Sequence, residues 1–329
     1  MKKMKIGVLG SGDIATRVSK TLLHVDEVEL YAVASRNYDH AKTFGEKFGY
    51  QKIYRTYDEV MGDQEVDLIY IGLPHTQHYE YAKRCLQYGK PTLLEKPFTI
   101  NQYQTEALLR EFKEKGVFLC EALWTRFIPM RKKIEEVMAR GMIGEAKMID
   151  VNMMFRICNN PRMINLDMGG GALLDLGVYA LNFASMFFGN HVEKMISLAD
   201  FWETGADEQE AVILKYSDHK IAVCKISMIG GGNARGIIYG TDGYIEVSDV
   251  MNLDHVTVYN GKGEVLEEYS KESGITGYEY EFLACRDALE KGELECREMS
   301  HDETMFLMGQ YDKLRSAWGL DYPCERGLE

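Results

Sequence analysis

At 329 residues the chain suits two domains, each large enough to bury its own core, and 46% hydrophobic with 27% charged residues is ordinary globular composition. Its net charge of -13 repels nucleic-acid phosphates and anionic lipid, which argues against both as partners. The basic opening Met1-Lys2-Lys3-Met4-Lys5 precedes an apolar run too short for a signal core, and no apolar run approaches the ~20 residues of a membrane span. Seven scattered cysteines without a Cys-x-x-Cys pair fit a reducing cytoplasm.

From Lys5 to Ala122 short apolar runs alternate with helix-period segments, the pattern of a parallel sheet with helices on both faces. Strands are expected at Lys5 to Leu9, Val28 to Ala34, Asp67 to Ile71, Thr92 to Leu94 and Val117 to Ala122. Helices are expected at Ile14 to His24, His40 to Phe48, Gln77 to Tyr88 and Asn101 to Lys115, the last opened by Asn101 with Gln104 in capping-box spacing.

Beyond Ala122 come a helix from Pro129 to Arg140, a long strand from Ala146 to Phe155, an irregular stretch to Asp167 and the triple glycine Gly169-Gly170-Gly171. A helix from Ala172 to Phe188 follows, with Gly189 as its C-cap. Runs at Glu210 to Tyr216, Ile221 to Met228, Gly236 to Tyr239, Tyr244 to Val247 and Val256 to Tyr259, separated by turn clusters, predict an antiparallel sheet. A helix over Tyr278 to Lys291 and another capped by Ser300, with Glu303 in capping-box position, close the chain.

Gly7 to Ala15 reads Gly-x-x-Gly-x-Gly-x-x-Ala between a predicted strand and a predicted helix, the context in which a glycine fingerprint signals a dinucleotide. Gly10 permits the tight turn, Gly12 lets backbone amides approach a pyrophosphate with Asp13 and Ile14 opening the helix, and Ala15 allows close packing. The fold class is thus α/β: a Rossmann dinucleotide-binding domain over residues 1–122, then an α+β domain with a large, mostly antiparallel open sheet over residues 123–329. Where an NAD site carries Asp or Glu for the ribose, this chain has Ser35-Arg36-Asn37. A hydroxyl followed by a guanidinium suits a 2′-phosphate, so NADP(H) is favoured, with NAD(H) the alternative; nearby Asp39 weakens the positive field.

Glu95-Lys96-Pro97 places an ammonium at the carboxyl end of a parallel strand, where doubly wound sheets bind ligands. The proline biases Lys96 toward extended backbone, and Glu95 beside it is expected to support the structure. Asp175 and Tyr179 lie four residues apart, on one face of their helix. An ammonium near a phenol favours its phenolate form, so Lys96 and Tyr179 are candidates to share the proton that accompanies hydride transfer, while an ordinary half-buried tyrosine remains the plain alternative. No metal is expected: the eight histidines are dispersed, with no His-Glu-x-x-His motif.

These motifs resemble the Gfo/Idh/MocA oxidoreductases along essentially the whole chain: Gly7 to Ala15, Pro74 with His78, Glu95-Lys96-Pro97, and Gly169 to Tyr179. Many members carry histidine where Tyr179 stands; that substitution, with Glu121 to Phe127 and Tyr322-Pro323, resembles the dimeric dihydrodiol dehydrogenase and D-xylose 1-dehydrogenase branch. The resemblance implies NADP dependence, a Tyr179 and Lys96 catalytic pair, and Arg36 on the adenosine phosphate, with His40 where the branch often has a second arginine. It also implies Leu73, Pro74 and His78 near the nicotinamide, with Glu95 counted among the cofactor-site residues; a capping or core histidine is the alternative for His78. Trp124, Arg126 and Phe155 are candidates to line the substrate pocket; the alternatives are that Trp124 and Phe155 seal the domain junction and that Arg126 anchors the two domains through a carboxylate.

The expected activity is hydride transfer between nicotinamide and a carbinol or carbonyl carbon of a sugar, polyol or cyclic diol, in a cytoplasmic homodimer or homotetramer, with Asp175 holding the site's hydrogen bonds. The alternatives are an NAD(H)-preferring inositol or sugar dehydrogenase and a non-catalytic dinucleotide sensor.

Overall fold

Strand β1 (Met4–Leu9) carries β-branched and small residues that can be buried on both faces, and it becomes the centre of a six-stranded sheet in the computed structural model. The structure describes residues 3–271 and 274–325; Met1 and Lys2 of the basic opening lie outside the described residues. After β1 come α1 (Asp13–Leu22), β2 (Val28–Ala34), α2 (Tyr38–Phe48), β3 (Lys52–Ile53), α3 (Tyr57–Gly62) and β4 (Leu68–Ile71). They are followed by α4 (His78–Gln87), β5 (Thr92–Glu95), α5 (Gln102–Lys115) and β6 (Leu119–Ala122). The strands are all parallel, in the order β3-β2-β1-β4-β5-β6. The order reverses between β1 and β4, so their carboxyl ends open the crevice in which such sheets bind dinucleotides.

Two elements here are absent from the sequence expectation. Strand β3 has only two residues and α3 six, both too short to show a period. The capping box of α3 did carry a signal: Thr56 Oγ1 accepts from the Glu59 amide and the Glu59 carboxylate accepts from the Thr56 amide.

The first compact unit comprises Met1–Phe127 and Ile275–Met308, the second Ile128–Gly274 and Gly309–Glu329. The single cut expected after Ala122 therefore moves to Phe127, and a later segment returns to the first unit. Within that segment α8 (Glu279–Glu290) sets Phe282 against Tyr70 of β4, ring centroids 5.5 Å apart, and the Leu119 amide donates to Leu294 O at 3.0 Å. No change of composition announces this return, because a helix packed on a sheet has the same pattern whichever unit it joins.

The second unit contains α6 (Met130–Ala139), β7 (Ala146–Met154), a π turn (Leu173–Gly177) and α7 (Val178–Phe188). Strands β8 (Val192–Phe201), β9 (Asp207–Tyr216), β10 (Ile221–Ser227), β11 (Gly236–Gly240), β12 (Gly243–Val247), β13 (His255–Asn260) and β14 (Val265–Ser270) follow. With β7 they form one eight-stranded sheet, β14-β13-β12-β11-β7-β10-β9-β8, antiparallel except where β7 and β10 run parallel. The final helix, α9 (His301–Trp318), contains the division between the units. Strands β8 and β14 form the edges, with half-exposed or exposed residues along both, so they lack the alternation that marks the inner strands.

On β9 the alternation is clear: Val212, Leu214 and Tyr216 are buried, whereas Ala211, Ile213 and Lys215 are exposed. The buried face packs on α7, in which every residue except Phe187 is buried. The stretch Leu166–Phe188, with mean hydropathy 1.4, does reach the length and apolarity of a membrane span, contrary to the sequence expectation; 94% of its most apolar window is buried within the protein. An all-apolar helix of this kind is the mark of a core helix as well as of a span.

The triple glycine folds back beneath this helix. Gly171 has φ +134°, and a Cβ there would lie 2.0 Å from Asp207 Oδ1, while Asp207 Oδ2 accepts from the Leu173 amide at 2.6 Å. Gly171→Ala is accordingly expected to cost about 2 kcal/mol or more of stability, through backbone strain and loss of the Asp207 contact, measured by urea unfolding.

Candidate functional site

The turn after β1 is built for close approach. Gly10 has φ +113°, its amide donates to Ala34 O at 2.9 Å, and a Cβ there would lie 2.6 Å from the Gly72 carbonyl oxygen, so only glycine fits where β1 and β4 end side by side. Gly12, the N-cap of α1, has nothing within 4 Å of an added Cβ, and no side chain caps the helix. Unclaimed first-turn amides facing open space match what a pyrophosphate requires, so the loop fits a dinucleotide. Asp13 and Ile14 begin the helix behind it, and Ala15 is fully buried, as close packing demands.

At the end of β2, Ser35 Oγ accepts from Ser11 Oγ at 3.0 Å, tying the two turns together. Arg36 is exposed, with no carboxylate in ion-pair range among the described residues. Asn37 caps α2 by accepting from the Asp39 and His40 amides at 2.8 and 3.2 Å; His40 itself is exposed. No acidic side chain occupies the position that would repel a 2′-phosphate.

The end of β5 is anchored from beneath. Tyr70 Oη donates to Glu95 Oε1 at 2.5 Å, and the Lys96 amide approaches Glu95 Oε2 at 3.2 Å, so buried Glu95 supports the turn. The Lys96-Pro97 peptide is cis. His78 is fully buried, with Nδ1 2.8 Å from Pro97 O and Nε2 2.9 Å from Leu73 O. Its ring therefore brackets the Leu73-Pro74 segment and the turn after Lys96 together. Burial holds its pKa below the ordinary value, against the opposing pull of these carbonyls.

Trp124 and Arg126 are drawn into the first unit's interior. Trp124 stacks on Tyr278 with centroids 4.5 Å apart, and Arg126, 2% exposed, pairs with Glu303 of α9 at 2.8 Å. Both residues of this pair belong to the first unit. Nearby Glu121 accepts from Thr304 Oγ1 at 3.0 Å, and burial pushes its carboxyl pKa up to about 8.

In the second unit, Asp175 lies within the π turn and Tyr179, 7% exposed, one turn later in α7. Inserted π turns are frequent at functional sites, and periodicity cannot reveal one. Asp175 Oδ1 receives Arg162 at 2.8 Å, from the 3₁₀ turn Pro161–Ile164 whose N-cap Asn160 accepts from the Arg162 amide. Sequence reasoning missed Arg162, which lay in the irregular stretch; the Asn160-Pro161 pair was the available turn signal. Phe155, just past β7, is half-buried, and its amide donates to Ser227 O at 3.0 Å.

Asp207 and Glu210 were missed as well. Asp207 Oδ1 and both Glu210 oxygens are buried without a hydrogen-bond donor, and an added Cβ on Gly177 would lie 3.3 Å from Glu210 Oε1. Burial raises both carboxyl pKa values, Glu210 further because Asp207 adds a like charge. A proton held by either carboxyl would supply the missing donor beneath the π turn, the form that their raised pKa values favour.

A phosphate-ready loop on a doubly wound sheet is the mark of a dinucleotide-binding protein. A family described as an oxidoreductase family with an NAD-binding Rossmann fold matches residues 4–122, and the GFO/IDH/MocA C-terminal domain matches residues 132–246. Trans-1,2-dihydrobenzene-1,2-diol dehydrogenase from Xenopus tropicalis is 31% identical over 97% of this chain and 99% of its own. The enzyme of that name from Mus musculus is 31% identical over 98% and 99%. The chain belongs to the Gfo/Idh/MocA family and is an NAD(P)-dependent oxidoreductase. In fold it is similar to a 3-ketoreductase from Actinomadura kijaniata in complex with NADP and TDP-benzene, with TM-score 0.87, 24% identity, and coverage of 96% and 98% of the two chains. An aldose-aldose oxidoreductase from Caulobacter crescentus gives TM-score 0.85, 20% identity, and 96% and 97%.

The proton on the Asp207 and Glu210 pair links stability to pH. A folded-state carboxyl that keeps its proton above its unfolded pKa of about 4.3 loses stability as pH rises toward the folded value. Glu210→Gln keeps a donor at every pH, so its melting temperature relative to the unaltered protein should climb from pH 5 to pH 8; a difference independent of pH would contradict the shared proton.

Proposed function

We propose that the chain is an NADP(H)-dependent oxidoreductase acting on a carbinol or carbonyl carbon of a sugar, polyol or cyclic diol. The observation that carries the cofactor choice is the exposed Arg36 at the end of β2, beside the Ser11 and Ser35 hydroxyls and with no carboxylate at the ribose position. A guanidinium fork binds phosphate in bidentate fashion, where a carboxylate would repel it. The substrate class is supported by the names of the relatives, which act on dihydrobenzene diols.

Gly10, Gly12, Asp13 and Ile14 would present the amides of the phosphate loop, Ser35 and Arg36 would hold the adenosine phosphate with His40 at its edge, and Leu73 and Pro74 would wall the nicotinamide. NADP(H), when bound, supplies or accepts the hydride at nicotinamide C4. In this reading Tyr179 moves the proton of the substrate oxygen, and Lys96 stabilises the phenolate by its positive charge. Asp175, held by Arg162, orients a substrate hydroxyl, and Phe155 offers an apolar wall. Glu95 and His78 act through the turn that carries Lys96, and Trp124 and Arg126 through the packing behind it.

The seven free cysteines suit a reducing cytoplasm. A homo-oligomer is supported by the open sheet face, where register aligns Ile221, Met148, Tyr239, Tyr244 and Tyr259 in one row across five strands. Apolar rows of this kind are seldom left to solvent. A dinucleotide sensor needs the phosphate loop but has no use for the proton-handling pair, which favours the enzyme.

Arg36→Ala is expected to weaken NADPH binding about tenfold or more, consistent with a charged hydrogen bond of ~1.5–3 kcal/mol, and to leave NADH binding nearly unchanged. Equal losses for both cofactors would remove the 2′-phosphate assignment. Tyr179→Phe should lower kcat about a hundredfold or more, with cofactor affinity retained in a fluorescence titration; near-normal turnover alongside a dead Lys96→Met would overturn the shared-proton scheme.

A further inference from the structure

Cysteines far apart in sequence meet inside the first unit. Cys120 of β6, Cys285 of α8 and Cys296 in the turn beyond α8 bring their sulfurs within 4.8 Å of one another, with Cys285 and Cys296 3.9 Å apart. All three are buried. Tetrahedral Zn²⁺ at ~2.3 Å from each thiolate places the sulfurs about 3.8 Å apart, so the cluster needs little closure to match it.

Glu281 gives an independent reason to expect a cation here. It lies one helical turn before Cys285, on the same side of α8, is fully buried, and neither of its carboxylate oxygens has a hydrogen-bond partner. It is within electrostatic reach of Cys120 and Cys296, and its other charged neighbours, Glu95 and Glu279, are also acidic. A buried acid among acids, with neither donor nor counter-ion, is costly, and a divalent cation removes the cost. An open cleft of about 540 Å³ is lined by Glu293, Glu295, Arg297 and His301 on both flanks of the Cys296 turn.

We propose that Cys120, Cys285 and Cys296 bind Zn²⁺, with Glu281 as the fourth ligand, stapling the returning segment 275–308 to strand β6. The three thiols release their protons to solvent on binding, and the Cys120 thiol exchanges weak contacts to Glu121 O and Met299 O, at 3.6 and 3.8 Å, for a metal bond. The ligands come from three separate elements, so no Cys-x-x-Cys spacing announces the site.

The test uses reduced full-length protein carrying Cys158→Ser and Cys324→Ser, which removes the two more accessible thiols. Titrated with Co²⁺, it should bind one equivalent, with the near-ultraviolet charge-transfer bands of cobalt thiolate and the intense visible bands of tetrahedral Co²⁺, both abolished by one equivalent of Zn²⁺. Cys296→Ser should remove most of the charge-transfer intensity, and Glu281→Gln should alter the visible bands while keeping the thiolate bands. Alkylation followed by mass spectrometry, which needs no variant at the site, should find Cys120, Cys285 and Cys296 protected by the metal. Absence of thiolate bands at one equivalent, bands that persist in Cys296→Ser, or no metal-dependent protection of these three cysteines would overturn the proposal.

Discussion

The first unit depends on the contact between the ends of β1 and β4, where the Gly72 carbonyl leaves no room for a side chain at Gly10. That approach lets the chain turn sharply into α1 and leaves the helix amides open at Gly12. It also fixes the start of the Leu73-Pro74 segment, which His78 then ties to Pro97 and hence to the turn carrying Lys96. The glycine loop, the Leu73-Pro74 segment and the turn carrying Lys96 are thus set by one steric restriction and one buried imidazole. Loops positioned from a rigid sheet in this way are how doubly wound folds obtain precise sites.

The second unit solves a different problem: how to hold a polar residue at the start of a very apolar helix. Close backbone turns at glycine and the Asp207 acceptor on the Leu173 amide brace the π turn, with the buried Glu210 carboxyl beneath it. Arg162 restrains Asp175 from the other side. The buried acids Glu95, Glu121, Glu210 and Glu281 show that this molecule tolerates carboxyl groups in its interior where each steadies a turn or meets a partner, Glu281 being the exception that the cluster of thiols accounts for.

Much of the architecture was readable because hydrophobic period, glycine spacing and caps are local signals. The strands from β1 to β6 with more than two residues, the Asn101 cap, the fingerprint turn and the Gly189 stop all follow from neighbours a few residues apart. What escaped were features decided by distant partners: the return of α8 to the first unit, the parallel pairing of β7 with β10, and the edge strands β8 and β14. Among site residues, Gly10, Gly12 and Glu95 declare their structural roles in sequence, but Arg162, Asp207 and Glu210 matter only through what the fold places beside them. His78 is instructive, since the resemblance placed it near the nicotinamide and the structure sets its ring between two backbone carbonyls, to one of which the neutral imidazole donates.

The central claim is hydride transfer between NADP(H) and a carbinol or carbonyl carbon, read here in the reducing direction. It is tested most directly by turning over a panel of ketosugars and vicinal dicarbonyls with NADPH deuterated at nicotinamide C4 and analysing the product by mass spectrometry. The expected result is one deuterium on the new carbinol carbon of at least one product, from one face of the nicotinamide. Oxidation of NADPH with no deuterium in any product, or no turnover across the panel by protein that binds NADPH, would contradict the account.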